Sequence, residues 1–341
     1  MKPLLYFRPS ISMRGLLSII PAIVLASAAM AGAEVAPTED EQSARLEAIG
    51  YRLARANADQ CDSPQMLTGL MVHDIGAYEQ ADREVVTAVY GITYGFGVLN
   101  VVPHSAADLA GVKSGDEIVA VNGRNLADFA QDALHEQGTF ERNERFSALL
   151  EQALRRGPAR LEVRRDTALV DLDLAGAKGC GGKFAVLHRR SLNAWSDGRY
   201  VAVTDRMMNY VKDDQELAFV VAHEMAHNIL HHADRMTGAT RFLIQFGIGA
   251  ARIKRDEQDA DVYAVDLLHR AGFDLSAPER LLRRTAKLRW FDLPITHPGI
   301  AARIRLVRAA AERIGSDRET LPEANVVLDR SIAGLTNKTA S

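Results

Sequence analysis

The sequence predicts an α+β fold in two lobes, a mostly helical domain and a β-rich insertion. Three observations carry that expectation. Leu46, Ile49 and Leu53 recur at helical spacing, and helix formers fill the stretches around Leu217–His232 and Glu257–His269. Between these helical stretches, Ala159–Arg165 and Ala168–Leu174 alternate apolar and polar residues with the period of a strand. The chain has 341 residues, 47% hydrophobic and 25% charged, which is ordinary globular composition and enough length for two cores.

Composition also excludes a class of function. A formal net charge of −3, scattered Lys and Arg residues and an aromatic content of 6% argue against a nucleic-acid partner.

In chain order, residues 1–33 read as an export signal. Lys2, Arg8 and Arg14 precede an apolar run from Leu16, which ends in small residues with A-x-A sites at Ala29–Ala31 and Ala31–Ala33. Cleavage after Ala31 or Ala33 would deliver a periplasmic or otherwise exported protein. The alternative is a signal anchor that stays uncleaved, and only then would the chain associate with a membrane. Cys61 and Cys180 are the two cysteines. In an exported chain such a pair points to a disulfide, which here would tie the two ends of the insertion together. The alternative, two unpaired buried thiols, would leave the boundary undefined.

Residues 34–94 are expected to supply a helix over Glu39–Ala58 that packs on the main domain, and a short strand within Met66–Val72. The insertion spans 95–176. It opens with a strand at Val98–Val102, passes through Pro103–Val112 to Gly115–Gly123, and turns at Asn122-Gly123, the favoured hairpin dipeptide. A longer helical segment follows, from Leu126 to Arg156. The pattern V-x-P-x-S-x-A-x-x-A-G-V-x-x-G-D-x-I-x-x-V-N-G resembles a PDZ domain. That resemblance implies capture of an extended peptide or chain end by addition to a sheet edge. It also suggests Gly95–Val98 as the loop that receives the peptide terminus.

Residues 177–315 are expected to form the helical domain. Phe184–Leu187 and Tyr200–Val203 read as strands, and Asp213, Asp214 and Glu216 open a helix. That helix carries His223-Glu224-Met225-Ala226-His227 within apolar flanks. At 3.6 residues per turn His223 and His227 share one face, where two imidazoles can grip one metal ion, with Glu224 placed to polarise a metal-bound water. A catalytic zinc needs a third protein ligand. His231 lies on the same straight helix and cannot wrap the ion, and the position ten residues after His223 holds Ala233. Asp261 is possible and Glu257 is better, because in Glu257-Gln258-Asp259-Ala260-Asp261 the two carboxylates fall one turn apart. Glu257 can then bind metal while Asp261 holds a ligand imidazole by its other nitrogen. Arg241–Ile253 is apolar but too short and interrupted to span a bilayer, and reads as a helix near the site. Leu281–Trp290 and Pro298–Ile314 are further helices, and residues 316–341 form a polar, loosely ordered tail.

The segments HEMAHNILHH, EQDAD and Thr296–Ile304, with Asn193-Ala194-Trp195 and Gly198 before them, together resemble the HtpX and CaaX-prenyl-endopeptidase family of zinc metallopeptidases, in its exported BepA-like branch. The resemblance implies a gluzincin peptidase domain with a small edge sheet and one Zn2+ per chain on His223, His227 and Glu257. It further implies Glu224 as general base and acid, and a role for His297 near the metal. His232 matches a family histidine, and His231 reads as a surface residue. Polypeptide substrates are expected to lie along Tyr200, Val201, Ala202 and Val203 as an added strand, and the PDZ unit would suit clearance of misfolded envelope proteins. The competing reading is a non-catalytic PDZ-bearing scaffold or chaperone that retains zinc for structure. Glu224 counts against it, since a structural zinc site has no use for that carboxylate.

Overall fold

A computed structural model describes residues 38–93, 95–127, 141–233, 250–287 and 299–319. The expected signal, His297 and the expected tail beyond residue 319 lie outside the described residues. No described helix is long and apolar enough to cross a membrane.

The helical domain begins with α1 (Glu39–Ala56), capped by Thr38 and Glu41 in a reciprocal capping box. Its buried stripe of Leu46, Ile49 and Leu53 joins a core made otherwise from residues far downstream. Gly50 is required in that stripe, because a Cβ there would meet the Phe184 ring at 2.4 Å. The strands of this domain are β9 (Lys183–Leu187), β10 (Ala194–Ser196) and β11 (Tyr200–Thr204), arranged β10-β11-β9. β11 runs parallel to β9 and antiparallel to β10. The helices α5 (Asp205–Tyr210), α6 (Asp214–Ile229), α7 (Ala250–Arg270), α8 (Ala277–Thr285) and α9 (Ile300–Glu319) complete it. α9 therefore continues past residue 315, where the polar composition suggested that order ends. The expected Leu281–Trp290 helix begins earlier, at Ala277, with a proline in its first turn.

The β-rich lobe starts further upstream than the sequence indicates. Met66–Val72 is not one strand but two, β1 (Gln65–Leu67) and β2 (Leu70–Asp74), divided at Gly69 with its positive φ of 73°. β1 pairs with β8 (Ala177–Gly179) and closes the neck of the insertion. β2 pairs antiparallel with β3 (Phe96–Val101), so the lobe begins near Leu70 rather than at residue 95. Its sheet runs β2-β3-β4-β6-β7, with β4 (Glu117–Val121), β6 (Ala159–Arg165) and β7 (Ala168–Leu174), while β5 (Arg124–Asn125) pairs with β4. Two short helices, α2 (Arg83–Tyr90) and α3 (Ala106–Leu109), sit in its connections. α4 (Glu141–Arg156) covers the sheet, burying Phe146, Leu150 and Leu154, and Phe146 stacks on Phe96 at 4.6 Å between centroids. β3, which takes in Phe96–Val98 of the expected terminus loop, is flanked by β2 and β4. Among the described residues the open edge on that side is β2.

Cys61 and Cys180 are bonded, with Cα atoms 5.5 Å apart and a sequence separation of 119. The bond lies at the neck, one partner before the lobe and the other after it.

Candidate metal centre

α6 carries the central residues, and its sequence accounts for its course. Asp213 accepts from Glu216 N at 2.9 Å as the N-cap, and acidic residues in the first turn suit the positive end of the helix. The helix is buried from Glu216 to Ala226. It ends in a Schellman motif: His231 N donates to Asn228 O and His232 N donates to His227 O. His231 occupies the left-handed position of that motif, at φ 55°. The reversal points His231 outward, 3.3 Å from Asp62, and folds His232 back beneath the helix, where it is buried.

α7 packs across α6 and brings Glu257 to the two histidines. His223 Nε2 and His227 Nε2 are 3.2 Å apart, and the Glu257 oxygens lie 3.5 Å from the first and 3.4 Å from the second. Ligand atoms held about 2.0–2.2 Å from one tetrahedral zinc are separated by about 3.3–3.6 Å; the nitrogen pair and the distance from each nitrogen to its nearer Glu257 oxygen, Oε2 for His223 and Oε1 for His227, are close to that range. Among the described residues, this is the group of histidine, cysteine and acidic side chains with metal-ligand spacing.

The nitrogens facing away from that cluster are also held. His223 Nδ1 is 3.1 Å from Asp261 Oδ1, and Asp261 accepts from Arg303 of α9 through both oxygens. His227 Nδ1 is 2.9 Å from His232 Nδ1, and His232 Nε2 is 3.8 Å from Asp256. Both imidazoles thus present Nε2 to the same point, with their orientation set from behind. Burial would keep His223 neutral, but Asp261 and Glu257 outweigh it and raise its pKa to about 10. Burial likewise opposes ionisation of Asp261, yet Arg303 and His223 lower it to about 2. Both directions favour positive charge beside Asp261 and Glu257. That is what a divalent metal supplies.

Glu224 is buried beside His223 and lines a cavity of about 400 Å3 with Asn193, Ala194, Phe219, Thr285 and Arg303. Glu257 and Asp261 reach the site from α7, whereas Tyr200–Val203 stand apart from any open edge. β11 is the middle strand of its sheet, paired with β10 on one side and β9 on the other. The expectation that substrate adds to Tyr200–Val203 is therefore corrected, because both rows of backbone groups on that strand are already used. Among the described residues the open edge is β10. Thr204 N donates to Asn193 O, and Asp197 N donates to Tyr200 O. By antiparallel alternation, the N–H and C=O groups of Ala194 and Ser196 point away from β11. Ala194 also lines the cavity. The roles of Arg303, Asp256 and β10 were not read from the sequence; His232 was marked there only by its match to a family histidine.

Comparison with known proteins places two matches on the chain. Residues 167–257 match peptidase family M48, and residues 97–137 match the PDZ domain. Among solved structures the chain is similar to the HtrA3 PDZ domain bound to a phage-derived ligand (FGRWV), at 23% identity over 34% of this chain and 89% of that one, with a TM-score of 0.25. No curated protein matches.

Proposed function

We propose that this PDZ-bearing M48 metallopeptidase is a zinc-dependent endopeptidase that cleaves extended segments of unfolded or misfolded polypeptides in the cell envelope. The observation that carries the reading is the cluster of His223, His227 and Glu257 with Glu224 beside it, opening onto a cavity bordered by β10, an edge strand among the described residues.

The residues divide the work. His223, His227 and Glu257 would hold zinc, which when bound supplies Lewis acidity toward a water and a peptide carbonyl. Glu224 takes the proton from the attacking water and returns it to the leaving amine. Ala194 and Ser196 of β10 align the substrate by main-chain hydrogen bonds, and such pairing demands an extended and therefore unfolded segment. Asp261 with Arg303, and His232 with Asp256, keep the two imidazoles aimed. The PDZ lobe would take a further extended peptide on β2, the edge strand of its sheet. His297 keeps the role near the metal that the family resemblance implies. An export signal over residues 1–33, together with the disulfide, supports placement in an oxidising compartment outside the cytoplasm.

The test is zinc content and casein cleavage for wild type and Glu224→Gln side by side. One zinc per chain in both, with cleavage reduced by about 10²–10⁴ in the variant, is the expected result. Zinc in both and no cleavage by either would favour the scaffold reading instead.

A further inference from the structure

The first turns of α4 touch two things at once. Arg142 pairs with Asp74 of β2 at 2.9 Å, both side chains being buried. Asn143 Nδ2 donates to Val72 O at 3.3 Å. Ile75 N donates to Gly95 O, so His73 is bonded toward β3, and by alternation Val72 and Asp74 turn their backbone groups outward. Asn143 therefore occupies a carbonyl on the edge that an incoming peptide strand would use. At the next outward residue, the Leu70 N–H is taken by Thr68 Oγ1 at 3.2 Å.

The following residue of the same turn reaches the other lobe. Glu144 accepts from Lys183 Nζ of β9 at 2.6 Å, from Arg199 Nη2 at 3.0 Å and from the hydroxyl of Tyr200 at the start of β11. That hairpin is also held by Asn228, the neighbour of His227. Asn228 accepts from Gly198 N at 2.7 Å and donates to Tyr200 O at 3.3 Å. The β10–β11 hairpin is thus held by the metal-binding helix and by the helix that covers β2.

From this we infer that Glu144 is a positioning residue lent by the PDZ lobe to the peptidase site, and that an extended peptide on β2 acts on catalysis through it. To pair with β2, a peptide must displace Asn143 from Val72. That moves the turn carrying Glu144, and the hairpin bearing the substrate edge moves with it. The inference rests on the peptidase reading for its catalytic consequence but not for the coupling itself. Coupling of this kind is reciprocal, so loosening either end loosens the other.

The test is hydrogen exchange on the whole purified chain, followed at Leu70–Asp74 and at Ala194–Thr204. Asn143→Ala should speed exchange in the hairpin as well as in β2. Glu144→Gln should speed exchange in β2 as well as in the hairpin, and Lys183→Gln, made entirely outside the lobe, should do so too. Cross-effects of about fivefold or more are expected. If each substitution loosens only the end it touches, the coupling is overturned. Exchange needs no peptidase activity, so a wild type that fails on casein strikes the functional reading and leaves this result intact. In a chain that does cleave casein, Glu144→Gln should raise KM at unchanged zinc content. A fall in kcat at unchanged KM would remove Glu144 from the positioning of the edge.

Discussion

Arg303 holds Asp261 by two parallel hydrogen bonds of 2.7 Å, and Asp261 in turn lies 3.1 Å behind the metal-facing imidazole of His223. The arginine therefore acts on the metal centre through two intermediaries without touching the ligand cluster. Replacing Arg303 with Met should weaken zinc about 10–100-fold, the usual cost of removing a partner behind a ligand. It should also destabilise the fold by about 3–5 kcal/mol, because Asp261 is left as a buried charge without its cation. Asp261→Asn should lose metal affinity by a similar factor with less loss of stability. Competition against a chromophoric chelator and urea unfolding measure the two effects, and unaltered zinc affinity in both variants would reject the arrangement.

The open edge of the peptidase sheet can be tested at single backbone groups. Ala194→Pro removes one outward N–H from β10 and leaves the bonds to β11 untouched. One main-chain hydrogen bond is worth about 1 kcal/mol, so KM for an unfolded substrate should rise about fivefold at full zinc occupancy. Edge strands accommodate proline, so the fold should survive. An unaltered KM would remove β10 from substrate binding.

His73 gives the PDZ lobe an acid limit. Its ring is buried, with Nδ1 2.7 Å from the Tyr78 hydroxyl and its edge against Tyr90 at 4.8 Å. Its Nε2 packs so closely on Gly97 that a Cβ there would approach to 2.9 Å. Burial lowers its pKa from 6.5 to about 4. An unfolded chain thus takes up a proton near pH 6.5 that the folded one refuses until about pH 4. Stability is full above pH 6.5, falls as pH drops through that window, and is lost by at most about 3 kcal/mol. His73→Phe should flatten this part of the stability profile, which urea titrations at several pH values would show.

The left-handed turn at His231 carries a backbone cost that a glycine would not. His231→Gly should raise stability by about 1 kcal/mol without altering zinc affinity. A fall in zinc affinity would show that His231 does more than turn the chain.

Opening the disulfide releases a loop closed across a sequence separation of 119. Loss of that constraint should lower stability by about 2–5 kcal/mol, measured as the change in urea midpoint between oxidised chain and Cys61→Ser/Cys180→Ser.

What could be read in advance follows from how local each signal is. His223, Glu224 and His227 declare themselves because their geometry is set within one helix turn, and Glu257 with Asp261 because both lie on one face of the next helix. Arg303 gives no such sign. Arginines are common on surface helices, and this one matters only because α9 crosses α7, a long-range fact. β10 has three residues, too few for a period to register. Tyr200–Val203 is the more conspicuous strand, but Val201, Ala202 and Val203 are all buried, and an unbroken apolar run marks an interior strand rather than an edge. The start of the lobe is hidden similarly. Gly69 splits what looks like a single strand, and nothing near Leu70 announces a partner some thirty residues away.

The insertion leaves the helical domain discontinuous in sequence, and this has a consequence for biosynthesis. α1 is made first, yet its buried face packs on β9, α6 and α7, which come after the lobe. A chain delivered N-terminus first, from the ribosome or across a membrane, can complete the lobe early, whereas α1 has no core to join until those later helices arrive. The anchor for Asp261 comes later still, on α9. The candidate metal centre is therefore among the last parts to assemble, and a half-made chain lacks the groups that the proposed hydrolysis needs.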